Sequence, residues 1–174
     1  MAWLVDAWAA IEDFLNVGGN VLILILVTTF AFWTLIIERY WYLRTGHPEE
    51  VERVVSLWRA RGERQSWHAH QIRRALISRV SLKLNRSLGL IQTLVALCPL
   101  LGLLGTVTGM IEVFEVMAML GSGNPRAMAS GVSRATIPTM AGMVAALSGL
   151  YFSVTLQKVA QREVERTADL LTTE

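Results

Sequence analysis

The sequence predicts an all-α membrane protein with three transmembrane helices, the second and third long and extending past the membrane on one side. Three observations carry that expectation. Apolar residues make up 53% of the 174-residue chain, charged ones only 17%, and the mean hydropathy is +0.43. That is too apolar and too poorly charged for an ordinary soluble domain of this length. The apolar residues also collect in three runs free of Asp, Glu, Lys and Arg, at 21–37, 88–111 and 135–156. Each run, with its uncharged flanks, reaches the roughly 20 residues needed to cross a hydrocarbon core. Lysine and arginine, finally, crowd into some of the intervening segments and avoid others, as they do when a bilayer orients a chain.

Residues 1–16 carry Leu4, Trp8, Ile11 and Leu15 at helical spacing among Asp6, Glu12 and Asp13. This pattern predicts a short amphipathic helix on the outer interface. Its acidic character and lack of a basic lead do not fit a cleavable signal peptide. The first span is expected over 17–38, followed by Tyr40, Trp41 and Tyr42 beside Arg39 and Arg44 as an interfacial belt. Residues 39–87 form a helical domain. Within it, Thr45-Gly46-His47-Pro48 predicts a break and Glu49, Glu50 and Glu52 a fresh helix start. Val51, Val54, Val55 and Trp58 line that helix, and Gly62 ends it. A second helix begins near Ser66 with Ile72, Leu76, Val80 and Leu84 at steps of four, and nothing predicts a break before the second span at 88–111. Residues 112–134 are expected as a loop, 135–156 as the third span, and 157–174 as a helical tail with Ala160, Val164, Thr167 and Leu171 along one seam.

Residues 1–20 contain no lysine or arginine, 38–87 contain 11, 112–134 contain two and 157–174 contain three. The positive-inside rule therefore places the helical domain and the tail in the cytoplasm, and the amino terminus and the 112–134 loop outside. Arg73, Arg74, Arg79, Lys83 and Arg86 sit against the membrane with few aromatic residues among them, so anionic lipid headgroups explain them better than nucleic acid.

No nucleophile elbow, P-loop, HExxH or paired carboxylates on one face appear, so the chain is not expected to be an enzyme. Cys98 stands alone in an apolar run and reads as a packing residue. His47, His68 and His70 have no metal-ligand spacing. No metal or other cofactor is expected.

The second span carries Pro99, Gly102, Thr106 and Gly109 at steps of three, four and three, with Gly105 between them. The third carries Thr139, Gly142, Ala146, Gly149 and Ser153 at the same alternation. Small residues so spaced let transmembrane helices approach closely, which matters because lipid supplies no hydrophobic drive for association. Two readings stay open: tight packing alone, or packing plus a polar path lined by Thr106 and Thr139 in an oligomer. A proton relay through a membrane normally needs an ionisable group, and no Asp, Glu, Lys or Arg lies within the runs. A relay would need a partner chain to bring one. Arg134, just before the third run, is expected to pair with Glu112 or Glu115 at the outer mouth, or with a partner's acid, or else to reach into solvent.

Two segments, PLLGLLGTVTGMI at 99–111 and GVSRATIPTMAGMVAA at 131–146, resemble the paired signatures of the ExbB/TolQ/MotA proton-channel family. Short ExbB-type proteins are the nearest likeness, and the order of span, cytoplasmic domain and two long helices matches as well. The resemblance implies a subunit of the bacterial inner membrane that forms a ring, commonly a pentamer, around the helices of an ExbD-like single-span partner. An aspartate of that partner would carry the proton, and a TonB-like protein would pass the work to outer-membrane nutrient importers. It further implies pore-facing roles for Thr106 and Thr139. Where the family often has glutamate three residues after Gly131, this chain has Arg134. The short tail speaks against a flagellar stator. A TolQ-like subunit of an envelope-maintenance motor and a non-conducting structural oligomer are the alternatives; a small solute transporter would call for inverted repeats, which are not visible.

Overall fold

A computed structural model describes residues 2–63, 66–120 and 125–171, with the backbone alone for 2–8, 10–18, 120 and 125–127. The described elements are helices: α1 (Ala2–Arg59), α2 (Trp67–Asn85), α3 (Leu88–Leu120) and α4 (Pro125–Leu170). The side chains of the predicted face of Leu4, Trp8, Ile11 and Leu15, residues 121–124 of the predicted loop and the Arg126 side chain lie outside the described residues. Three stretches are long and apolar enough to cross a membrane: Gly19–Arg59, Trp67–Met119 and Met128–Leu170.

The helix breaks differ from the expectation. α1 runs through Thr45–Pro48 without interruption and departs from helical geometry instead at Gly19, with φ 62 and ψ −162. Proline inside a helix costs about 3 kcal/mol. Here that cost is offset by anchors on both sides: His47 is buried, and Val54 and Trp58 are 3% and 1% exposed. Gly19 alone in α1 takes a positive φ, a conformation that glycine adopts without a Cβ penalty. The second difference lies between α2 and α3. The chain does not run straight on but turns at Arg86–Ser87, where Ser87 takes φ 68. A non-glycine residue in this region costs about 1–2 kcal/mol. The third concerns residues 112–134, which are helical over 112–120 and 125–134. Most of the expected loop is therefore helix, as the ends of α3 and α4.

The buried positions of α3 are Leu88, Ile91, Val95, Cys98, Gly102, Gly105 and Val113; those of α4 include Ala135, Pro138, Gly142, Gly149, Ser153, Leu156, Ala160 and Thr167. Steps of three and four dominate both, the seam of left-handed helix pairs. The chain divides into two compact units, Met1–Phe32 with Thr93–Leu150, and Trp33–Gln92 with Tyr151–Glu174.

In the first unit, Leu22, Ile25 and Phe32 of α1 are buried, as are Val95, Cys98, Gly102 and Gly105 of α3 and Ala135, Pro138, Gly142 and Gly149 of α4. In the second, polar contacts hold the helix ends. Arg39 is 6% exposed and donates to the Lys83 carbonyl at 3.1 Å and the Ser87 hydroxyl at 3.3 Å. It thus supplies donors at the α2–α3 turn, where a helix end leaves carbonyls unpaired. Arg73 does the same for the end of α4, donating to the Leu171 carbonyl at 2.7 Å and that of Ala168 at 2.8 Å. His47 meets Glu163 at 3.2 Å, and Lys83 donates to Glu50 at 2.6 Å.

Candidate functional site

The closest approach of α3 and α4 lies at the predicted small residues. A Cβ on Gly102 would stand 2.9 Å from the Thr139 Cα, one on Gly109 2.7 Å from the Ala135 Cα, and one on Gly142 2.5 Å from the Cys98 carbonyl oxygen. Gly105 has no room because Pro138 fills the space, and Gly149 none because Val95 and Phe32 do. Gly102, Gly109 and Gly142 are therefore the condition for backbone contact between the two helices. Ala146 is half-buried beside them.

This proximity allows one side chain to bond across the pair. The Thr139 hydroxyl donates to the Gly102 carbonyl at 2.9 Å. In an α-helix that carbonyl also accepts from the backbone N–H four residues on, which is that of Thr106. Thr106 itself is half-buried, and its hydroxyl donates to the Leu103 carbonyl one turn back, at 2.7 Å. The two predicted threonines thus differ: Thr139 joins the helices, and Thr106 stays on its own. Both Thr106 and Pro99 lie beside the buried seam and not within it, because Gly102 and Gly105 occupy the seam.

A hydroxyl has one proton and two lone pairs. With the protons committed to carbonyls, both oxygens remain able to accept from water or from a protonated acid. The adjoining apolar runs hold no group that titrates near neutrality.

Arg134, Glu112 and Glu115 are all exposed, and no ion pair among the described residues joins Arg134 to either glutamate. The expected pairing within the chain is not formed. The register explains why: Ala135 faces Gly109 in the seam, and one residue back along a helix turns the side chain away by about 100°.

Arg39 and His47 carry no motif that marks them. Arg39 pairs locally with Glu38, but the hydrogen-bond partners of Arg39 and His47 are 44, 48 and 116 positions away in sequence. The available hints were an arginine at a span boundary and a histidine next to proline.

The MotA/TolQ/ExbB proton channel family model matches residues 48–169. The chain is 44% identical over 71 residues to an ExbB-like biopolymer transport protein of Synechocystis sp., covering 39% of this chain and 28% of that one. A second such protein of Synechocystis sp. is 36% identical over 83 residues, covering 46% of this chain and 39% of that one. Biopolymer transport protein exbB1 of Vibrio cholerae is 37% identical over 83 residues, covering 47% of this chain and 36% of that one. The matches thus span well under half the length of these relatives. The family model, covering more than half of this chain and including both α3 and most of α4, establishes that the chain belongs to the MotA/TolQ/ExbB proton channel family.

Proposed function

We propose that the chain is an ExbB-like proton-channel subunit of a bacterial inner membrane, and not an enzyme. In this reading several copies, five as in the usual ring, surround the transmembrane helix of an ExbD-like single-span partner. The assembly converts the proton motive force into work on a TonB-like protein for outer-membrane nutrient import. The observation that carries the reading is the Thr139–Gly102 bond at the contact of two helices whose apolar runs hold no Asp, Glu, His, Lys or Arg. Hydroxyl oxygens in such a wall can solvate a partner's carboxyl group in either charge state. The proton carrier is then the partner's, and the wall stays neutral while the carrier titrates. The surface supports an assembly as well, because Leu100, Leu103, Val107, Met143, Val144 and Leu147 are exposed along α3 and α4. The charge distribution supports an outside amino terminus and a cytoplasmic carboxyl terminus.

The test is energised uptake of an iron–siderophore complex in a strain carrying this chain and its partners. Thr106→Val and Thr139→Val are each expected to abolish uptake while the complex still assembles. Normal uptake in the assembled Thr139→Val strain overturns the reading and leaves a packing oligomer.

A further inference from the structure

We propose that a carboxamide-lined cavity at the junction of α2, α3 and α4 is a water-filled conduit that passes protons on the cytoplasmic side of the spans. The open cavity, of about 420 Å³, is lined by the polar side chains of Ser81, Asn85, Gln92, Gln157 and Gln161, by Gly89, and by the apolar Leu88 and Val164, and no acid or base lines it. The proposal rests on the proton-channel reading and adds to it a route and the residues that form it.

The placement of carboxamides is the first argument. The chain has nine Asn and Gln residues, and four of them meet here. Gln92 is the one carboxamide within the three apolar runs, and Gln157 directly follows the third. Gln92 is exposed, Gln157 half-buried, and neither side chain has a hydrogen bond to a described residue. An unpaired amide facing hydrocarbon costs about 4–8 kcal/mol on a cyclohexane scale. This side of α3 and α4 is therefore wet, although it adjoins two apolar runs.

The second argument is the supply of bonding groups. Asn85 donates to the Ser81 carbonyl at 2.9 Å and to the Ser81 hydroxyl at 3.2 Å, which leaves its own oxygen as an acceptor. Gln161 donates to Glu165 at 3.5 Å and keeps its oxygen likewise. Gln92 and Gln157 contribute both donors and acceptors. A buried water needs two to four polar partners, and this lining supplies them for several. Carboxamides do not titrate near neutrality, so they orient water without trapping a proton. Each water in the chain accepts one proton and releases another. The water is left unchanged, one proton is moved, and the membrane gradient drives the transfer.

The third argument is Gly89. A Cβ there would meet nothing within 4 Å. Helix packing therefore does not call for glycine at this position, and its missing side chain keeps the cavity wide.

Single cysteines in a Cys98→Ala background, reconstituted as the full complex, test the water. The probe is a charged, membrane-impermeant thiosulfonate. Gly89→Cys and Gln157→Cys are expected to react about tenfold faster than the exposed neighbour Leu90→Cys, because the reagent attacks the thiolate, which hydrocarbon suppresses. Proton flux into proteoliposomes then tests the route. Gly89→Leu is expected to lower flux severalfold with the native mass of the complex unchanged. Labelling of Gly89→Cys no faster than Leu90→Cys, as when a neighbouring copy fills the cavity, overturns the conduit. So does full flux through an assembled Gly89→Leu complex. Fast labelling in a wild-type complex that moves no protons instead overturns the proton-channel reading and supports the hydrated cavity.

Discussion

Thr139 has two roles that a substitution can separate. Its proton bonds the Gly102 carbonyl, and its lone pairs remain available. Thr139→Val removes both and is expected to cost about 1 kcal/mol in helix pairing as well as all conduction. Thr139→Ser keeps both and is expected to restore uptake, which a purely steric role for the threonine methyl would not allow. At Gly102 the neighbouring atoms are backbone, so even Gly102→Ala is expected to destabilise the protein by about 1–3 kcal/mol. A lowered thermal midpoint in detergent checks this, with Gly89→Ala as the harmless comparison. The spacing of Gly102, Gly142 and Thr139 made this contact legible in the sequence, because small residues at steps of three and four share one helix face. The division of labour between Thr139 and Thr106 was not legible. It depends on which side of α3 faces α4, and the glycines at 102, 105 and 109 fit more than one register.

Among the elements, the turn between α2 and α3 is the least expected feature, since no glycine or proline marks it. Arg39 supplies the missing signal from another helix, donating to both Lys83 and Ser87. Arg39→Met is expected to destabilise the protein by about 2 kcal/mol, the scale of a charge-assisted bond lost from a helix end. Arg39→Lys should recover only part, since an ammonium lacks the guanidinium fork. Thermal unfolding of the purified variants measures both. The reverse error, a break predicted at Thr45–Pro48 where the helix continues, has the same origin. Local propensity was outweighed by burial of His47, which meets Glu163 from far along the sequence, and of Trp58. Glu50, outside the apolar runs, belongs to this scale too. The hydrogen bond from Lys83 holds its carboxyl below the usual carboxylate range, against partial desolvation, and the charges of Lys83, Arg53 and Arg79 add to the effect. A lowered folded-state value means the pair stabilises fully above the ordinary carboxylate range and fades as pH falls through the lowered one. Glu50→Gln is therefore expected to lose stability at neutral pH and to show a shallower decline on the acid side. Melting the two proteins from neutral to acid pH checks the sign.

For the whole molecule, the outer surface is the informative part. At most 28% of each apolar window is buried within the chain, and Phe30, Ile37, Leu103 and Val144 are all more than half exposed. Composition alone made the three spans legible, since runs without charge need a solvent that tolerates them. The number of copies and the partner were not legible, because both are properties of surfaces meeting. The native mass of the detergent-purified complex is expected to equal several copies of the chain, and a monomer would remove the ring from the proposal.

The contact of Gly142 with the Cys98 carbonyl bears on how relatives can be recombined. A hybrid that takes α4 from a protein without glycine at this position would bring a side chain against main-chain atoms. The loss would look like a failure of specificity although no recognition surface had changed. α3 and α4 form one inheritable cassette, and a chimera that separates them tests the join more than the function.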